Sequence, residues 1–112
     1  MKHGEIWEVD FAPNIGQEIG KIRAALIVSH DAIGKLRVKI VVPITDSSGS
    51  NQLWHVPLNP DLNNGLSKPS VADCFQIKSI SQERFRKRLG SLSQEDLEDV
   101  KVALATVLNL LD

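Results

Sequence analysis

RAALIVSHDAIGKLRVKIVVPIT, from Arg23 to Thr45, decides the fold. Two apolar runs, Arg23 to Ser29 and Arg37 to Thr45, flank HDAIG, a turn that ends at Gly34. The first run is almost continuously apolar. The second starts in alternation and becomes continuous. Both are rich in β-branched residues and read as strands. Pro43 has no N–H to give to a ladder, which places it at an edge or a bulge.

Upstream, Ile6 to Phe11 alternates Ile, Trp, Val and Phe with acids, a first strand. APNIGQEIGKI follows, a long loop bearing Pro13, Asn14, Gly16 and Gly20, and loops of this kind carry function. Downstream, DSSGSNQ is a polar loop and Leu53 to Leu58 a short strand. NPDLNNGLSKPS is a second loop, closed by Asn-Gly and Lys-Pro turn signals, and Ser70 to Ile77 is one further strand. Ser81 is placed to cap a short helix, SQERFRK. RLGSLS then leads into a last helix, opened by Ser93 and Asp96 in an S-x-x-D start signal. Leu97, Val100, Leu104, Val107, Leu108 and Leu111 recur there at helical spacing, a stripe suited to packing on the domain's own sheet. Residues 1–77 are thus β-rich and 80–112 helical. The expected class is α+β, mainly β: a small SH3-like β-barrel with appended helices and a C-terminal helix. At 112 residues it forms one domain, 1–112.

The net charge of −1 does not indicate a globally basic nucleic-acid binder, but the charge is uneven. Lys78 to Arg88 holds five basic residues against Glu83, and Lys21 to Lys39 five against Asp31. Ser93 to Asp112 holds five acids against Lys101, so a neutral total hides a basic face. The single cysteine, Cys74, can close no internal disulfide and points to a reducing compartment. Beside Val71, Ala72 and Phe75 it reads as a small core hydrophobe. MKHGEIWEVDF is no signal peptide, and no stretch approaches a membrane span, so a cytoplasmic chain with no membrane partner is expected.

His3, His30, His55 and Cys74 are scattered without metal-ligand spacing, so neither a metal nor another cofactor is expected. Gly16 and Gly20 make no phosphate loop. His30 and His55 read as turn or surface histidines rather than an acid–base pair. What remains is an arrangement: Glu18 in the glycine-bearing loop, Arg23 opening a strand, Thr45 and Asp46 ending the next, and Gln76 and Lys78 late in another.

Here the chain resembles a family. GEIWEVDFAP (Gly4 to Pro13), GQEIGKIR (Gly16 to Arg23), ALIVS (Ala25 to Ser29), VVPIT (Val41 to Thr45) and QIKSI (Gln76 to Ile80) are similar, in order and spacing, to the blocks of the MazF/PemK/Kid toxins. The resemblance implies a homodimeric SH3-like barrel that acts as a toxin endoribonuclease on single-stranded RNA. It also implies a cognate antitoxin whose disordered tail covers the RNA groove. Arg23 matches the family's catalytic arginine, Thr45 its catalytic threonine, and Glu18 a conserved loop glutamate. Two departures stand out. Ala24 replaces the usual proline after the arginine. Phe75 and Asp73 stand where some members carry a catalytic aspartate and a basic residue, so the chain follows the Arg/Thr version of the site.

Metal-free RNA cleavage needs a base for the 2′-OH, a cation for the charge on phosphate, and an acid for the leaving oxygen. A carboxylate such as Glu18 suits the first and the permanent charge and planar fork of Arg23 the second. Thr45 is suited to holding the phosphate in line. Lys21, Asp46, Gln76 and Lys78 are the further RNA-binding candidates, with Arg86 more marginal. Trp54 is either a base-stacking platform or a core residue. Two rival readings share the fold: a CcdB-like gyrase poison, and a catalytically silent RNA-binding module.

Overall fold

A computed structural model describes residues 1–13, 15–33, 35–47 and 52–110. Seven strands come first: β1 (Glu5–Asp10), β2 (Ile22–Ile27), β3 (Val38–Asp46), β4 (His55–Leu58), β5 (Ser70–Asp73), β6 (Lys78–Ser81) and β7 (Phe85–Ser91). One helix follows, α1 (Gln94–Val107). The strands make one antiparallel sheet in the order β4-β5-β3-β2-β1-β7, with β6 also on β3. This is the mainly-β α+β class expected.

β2 and β3 are apolar on both sides because they are buried on both sides. Leu26, Val42 and Ile44 join Ile6, Leu58 and Ala72 in one cluster, which α1 covers with Leu97, Val100 and Ala103. Ala25, Ile27 and Val41 join Val9, Phe11 and Ile80 in a second cluster on the opposite face. As the S-x-x-D signal predicts, Ser93 Oγ accepts the Asp96 N–H at 3.1 Å. The expected helical stripe is buried at Leu97 and Val100 and half-buried at Leu104 and Val107, but Leu108 is exposed. Leu111 lies outside the described residues, as do Asn14, Gly34 and most of the DSSGSNQ loop.

Four expectations are corrected. The 70–77 run is not one strand. Asp73 Oδ1 accepts the Phe75 N–H at 3.2 Å and turns Cys74–Gln76 into a 3-10 turn. That splits the run into β5, along Ile44–Asp46, and β6, along Val38–Val41. Pro43 consequently sits in a central strand, but opposite the break, where no ladder bond is called for on that side. The strand expected from Leu53 begins at His55. Finally, Ser81 does cap, its Oγ accepting the Glu83 N–H at 3.2 Å, but only Gln82–Arg84 is helical, as a 3-10 turn. Phe85–Ser91 is a strand on β1. There the Phe85 ring meets Trp7 edge-on at 5.9 Å, and Arg88 Nε donates to Glu5 Oε2 at 3.1 Å. Burial works against the charged form of Glu5. The N–H groups of Trp7 and Lys2, with the charges of the N-terminus and Arg88, nonetheless hold its carboxyl below the usual carboxylate range.

Among the described residues no pairing joins β4 to β7, so the sheet is open as a ladder. The 59–69 loop spans that opening. Asn63 O accepts the Ser91 N–H at 2.8 Å. The approach is so close that a Cβ on Gly90 would stand 2.2 Å from Asn63 O, and one on Gly65 2.1 Å from Leu89 O. Asn64, fully buried, holds the loop in shape. Its Oδ1 accepts from Leu66 N (3.0 Å) and Asp61 N (3.3 Å), and its Nδ2 donates to Asn59 O at 2.8 Å. Asn64→Ala should therefore lower stability by about 3 kcal/mol, since it strands buried backbone groups. Asn63→Ala, at an exposed neighbour, should cost under about 0.5 kcal/mol. Chemical denaturation checks this, and equal shifts in the two variants would show that Asn64 is no hub.

Candidate active site

Ala25 faces Pro43 across the β2–β3 ladder, and Ala24 faces Ile44. Arg23 and Thr45 are the residues next beyond the last of these pairs. Pro43 offers no N–H, so its pair with Ala25 is a non-hydrogen-bonded one; Val28 N donating to Ile40 O at 2.9 Å puts the bonded pairs at the even positions of both strands. Arg23 and Thr45, two residues on, have the parity of such narrow pairs, whose side chains approach most closely.

Both line a cavity of about 210 Å³ together with Asp46, Lys68 and Ser70. Arg23 Nε donates to Gly20 O at 3.1 Å, which aims the guanidinium from its inner edge. Among the described residues no carboxylate pairs with Arg23. Asp46 instead pairs with Lys68 at 3.1 Å. Two cations against one carboxylate, with a planar fork turned to the cavity, suit a phosphate group.

On the same face, one row along β5 and about 7 Å away, lies Asp73. It lines a second cavity of about 480 Å³ with Gln17, Glu18, Trp54, Phe75 and Gln76. Gln76, half-buried, is engaged with backbone. Its Oε1 accepts the Ile19 N–H at 3.3 Å and its Nε2 donates to Gln17 O at 3.2 Å, clamping the 15–20 loop onto the sheet. Lys78 pairs with Glu18 at 3.7 Å. Trp54 is half-buried against the core. Its ring stands 5.6 Å from Phe75 and 5.8 Å from His55. His55 Nε2 lies 3.9 Å from Asp73 Oδ2. Cys74 is fully buried, and burial, with the Asp73 charge adding, pushes its thiol up to about 12, as befits a core hydrophobe.

The structure thus brings Arg23, Thr45 and Asp46 to one cavity and Glu18, Gln76 and Trp54 to its neighbour, with Lys78 behind Glu18. Glu18 does not line the Arg23–Thr45 cavity. Lys21 lines neither; it is exposed, at φ 68, with its carbonyl accepting the Phe11 N–H. Arg86 pairs with Glu8 on the β7 side. His30 and His55 line no common cavity; His30 Nδ1 accepts the Ala32 N–H. The sequence reading passed over Lys68 and set His55 aside. It took Phe75 only as a departure, whereas the ring is 63% exposed at the mouth of the second cavity. An aromatic directly before a loop-clamping glutamine was the available signal.

A family model described as "PemK-like, MazF-like toxin of type II toxin-antitoxin system" matches residues 2–108. The chain belongs to this toxin family. Endoribonuclease MazF9 of Mycobacterium tuberculosis is 32% identical to it over 116 aligned positions, 98% of each chain. MazF from Deinococcus radiodurans shares the fold at a TM-score of 0.84 and 24% identity, over 97% of this chain and 96% of its own. An endoribonuclease of a mycobacterial species, solved in complex with its cognate antitoxin, does so at 0.82 and 18% identity, over 100% and 98%. In this member the loop carrying Glu18 depends on the Gln76 clamp. Gln76→Ala should leave the fold intact and speed amide exchange at Ile19 by about fivefold or more, one lost hydrogen bond's worth. Unchanged exchange would mean the loop is held by the packing of Ile19 alone.

Proposed function

We propose that this chain is the toxin of a type II toxin–antitoxin system: a cytoplasmic endoribonuclease, one toxin domain over 1–112, acting as a homodimer and restrained by a cognate antitoxin. Family membership supports the toxin and its antitoxin partner. Relatives named endoribonucleases support the activity. The observation that carries the reading is the Arg23 fork, without a carboxylate partner among the described residues, lining one cavity of about 210 Å³ with Thr45.

The mechanism follows from those groups. The ribose 2′-oxygen attacks the adjacent phosphorus, the bond to the 5′-oxygen breaks, and no metal takes part. Arg23 stabilises the charge gathering on the phosphoryl oxygens with its planar donor fork. Thr45 donates a hydrogen bond to the phosphate and keeps it in line. The base is a carboxylate at the site, Asp46 lining the cavity or Glu18 beside it. His55, beside Asp73 on the same face, is the side chain suited to protonate the leaving oxygen. Phe75 and Trp54 offer an unstacked base a platform.

On a long mixed-sequence RNA in EDTA, the protein should cut at one short motif. The products should carry 2′,3′-cyclic or 3′-phosphate and 5′-hydroxyl ends, and 2′-deoxy substrates should survive. Arg23→Ala should slow cutting by about 10²–10³-fold. Whichever of Asp46→Asn and Glu18→Gln is the slower names the base. Ends bearing 5′-phosphate, or activity lost in EDTA, would sink the mechanism. Intact RNA would leave the silent binding module, or, with gyrase–DNA cleavage complexes formed, the gyrase poison.

Phe75→Ala should weaken RNA binding by about 1–3 kcal/mol while the rate at saturating RNA holds, and Phe75→Trp should restore affinity. Unaltered affinity on direct titration would remove Phe75 from the interface.

A further inference from the structure

Gln76 grips the 15–20 loop on both sides of a single residue. Its Oε1 accepts from Ile19 N at 3.3 Å, its Nε2 donates to Gln17 O at 3.2 Å, and Glu18 lies between the two. Glu18 lines the cavity of about 480 Å³ with Asp73, Trp54 and Phe75. A cavity of that size suits one small ligand. Two of its polar side chains are already committed. Gln76 holds the loop. Asp73 holds the 3-10 turn, with Oδ1 accepting the Phe75 N–H at 3.2 Å, and its Oδ2 lies 3.9 Å from His55 Nε2. Glu18 differs from both. Lys78 Nζ stands 3.7 Å from its Oε2, an ion pair too long to be a hydrogen bond. Among the described residues no donor hydrogen-bonds to this carboxylate. Glu18 is thus fixed through its backbone, placed at the cavity, and open to a donor.

The chemistry of the cavity selects among the bases. The Phe75 and Trp54 rings, 5.6 Å apart, give a base a surface to lie against. A base so placed, in a single strand, has its Watson–Crick edge free to be read. An ionised carboxylate offers that edge acceptors only. Uracil presents one N–H between two carbonyls. Adenine and cytosine each present an amino group beside an unprotonated ring nitrogen, which the second carboxylate oxygen would repel. Guanine alone sets its N1–H and its N2 amino group side by side, two parallel donors for one carboxylate, the geometry in which such bonds are strongest. We infer that this cavity reads a guanine, with Glu18 taking the N1–H and N2–H donors of a base stacked on Phe75. Glu18 is then a specificity-determining residue and Gln76 the positioning residue behind it, and Asp46 is left as the general base. That the guanine belongs to an RNA rests on the ribonuclease reading above.

The test uses the full chain as wild type, Glu18→Gln and Glu18→Asp. Fragment ends from a mixed-sequence RNA are mapped for each, and the preference for each base at each motif position is taken as a ratio of cutting rates. The wild-type motif should contain one required guanine. Glu18→Gln should lower the preference for guanine at that position by about tenfold or more, the share of one bidentate contact, and leave the other positions as they were. Glu18→Asp keeps the carboxylate and should retain part of the preference. In wild type, inosine at that position, which lacks the N2 amino group, should be cut more slowly than guanine, and 7-deazaguanine, whose Watson–Crick edge is intact, should be cut as guanine is. A motif without a required guanine overturns the proposal. So does a guanine preference that survives Glu18→Gln, or a loss of rate in that variant with the motif unchanged, which would make Glu18 the general base instead. Should wild type cut no RNA, the ribonuclease reading fails and the cavity is decided separately. Guanosine, adenosine, cytidine and uridine monophosphates are then titrated while the Phe75 ring protons are followed by NMR. A response strongest for the guanine nucleotide and lost in Glu18→Gln upholds the guanine site, and equal responses, or none, overturn it.

Discussion

The register of β2 against β3 is the constraint on which the site depends. Over residues 25–27 and 41–44 both strands are buried on both faces, so alternation of polar and apolar residues gives that part of their pairing little guidance. Pro43 supplies what alternation does not. Without an N–H it takes only a position where the ladder asks for none, towards β2 and towards the β5–β6 side alike. The Asp73 cap creates that position by ending β5 before β6 begins. A slip of one residue would set Pro43 at a bonded position and turn Arg23 to the other face. The same residue that looks out of place in a central strand thereby puts Arg23 and Thr45 side by side.

Polar side chains then take up the shaping that a 112-residue core cannot supply. Asn64 folds the 59–69 loop across the open side of the sheet, and that loop brings Lys68 and Ser70 to the Arg23 cavity. Gln76 ties the 15–20 loop to the same face and so sets the position of Glu18. The two amides act on backbone groups rather than on substrate. The charged groups are left for chemistry: of the cations lining the Arg23 cavity, Lys68 is matched by Asp46, and Arg23 remains to meet phosphate. The net charge of −1 conceals this, because the acids of α1 lie on a helix that covers the other face of the sheet.

Much of this was legible in the sequence, for reasons that differ by element. β1 to β3 and α1 carry their signals locally, in apolar runs and in the Ser93 cap. Arg23, Thr45 and Glu18 stood out through the family blocks, and none would have done so alone. β7 was misread because FRKRLGS carries three successive cations and no clean alternation; its strand state comes from β1, through Trp7 and Glu5, some 80 residues earlier in the chain. The β5–β6 break turns on one aspartate reaching its second neighbour. Lys39 sits in an alternating run as any surface lysine would, and only tertiary packing reveals that it is buried. Lys68 is brought to Arg23 by a loop whose course depends on Asn64, and no local pattern predicts that.

The departure at Asp73 and Phe75 can now be placed in physical terms. Asp73 cannot be replaced freely by a base, because its carboxylate caps the 3-10 turn and lies beside His55. Phe75, the first residue of that turn to face outwards, cannot carry a proton, but its ring extends the surface begun by Trp54. In the reaction proposed above, this position serves stacking and not proton transfer, and the proton is handled by other side chains. Asp46, Glu18 and His55 are the groups nearby that can do so: Asp46 follows Thr45 on β3, Glu18 sits in the loop before β2, and His55 lies on β4, with β5 between it and β3. A site of this kind trades a dedicated acid for a binding surface. Under the proposed reaction, its rate rests on how well Arg23 meets the phosphate, and its selectivity on which base lies flat against Phe75.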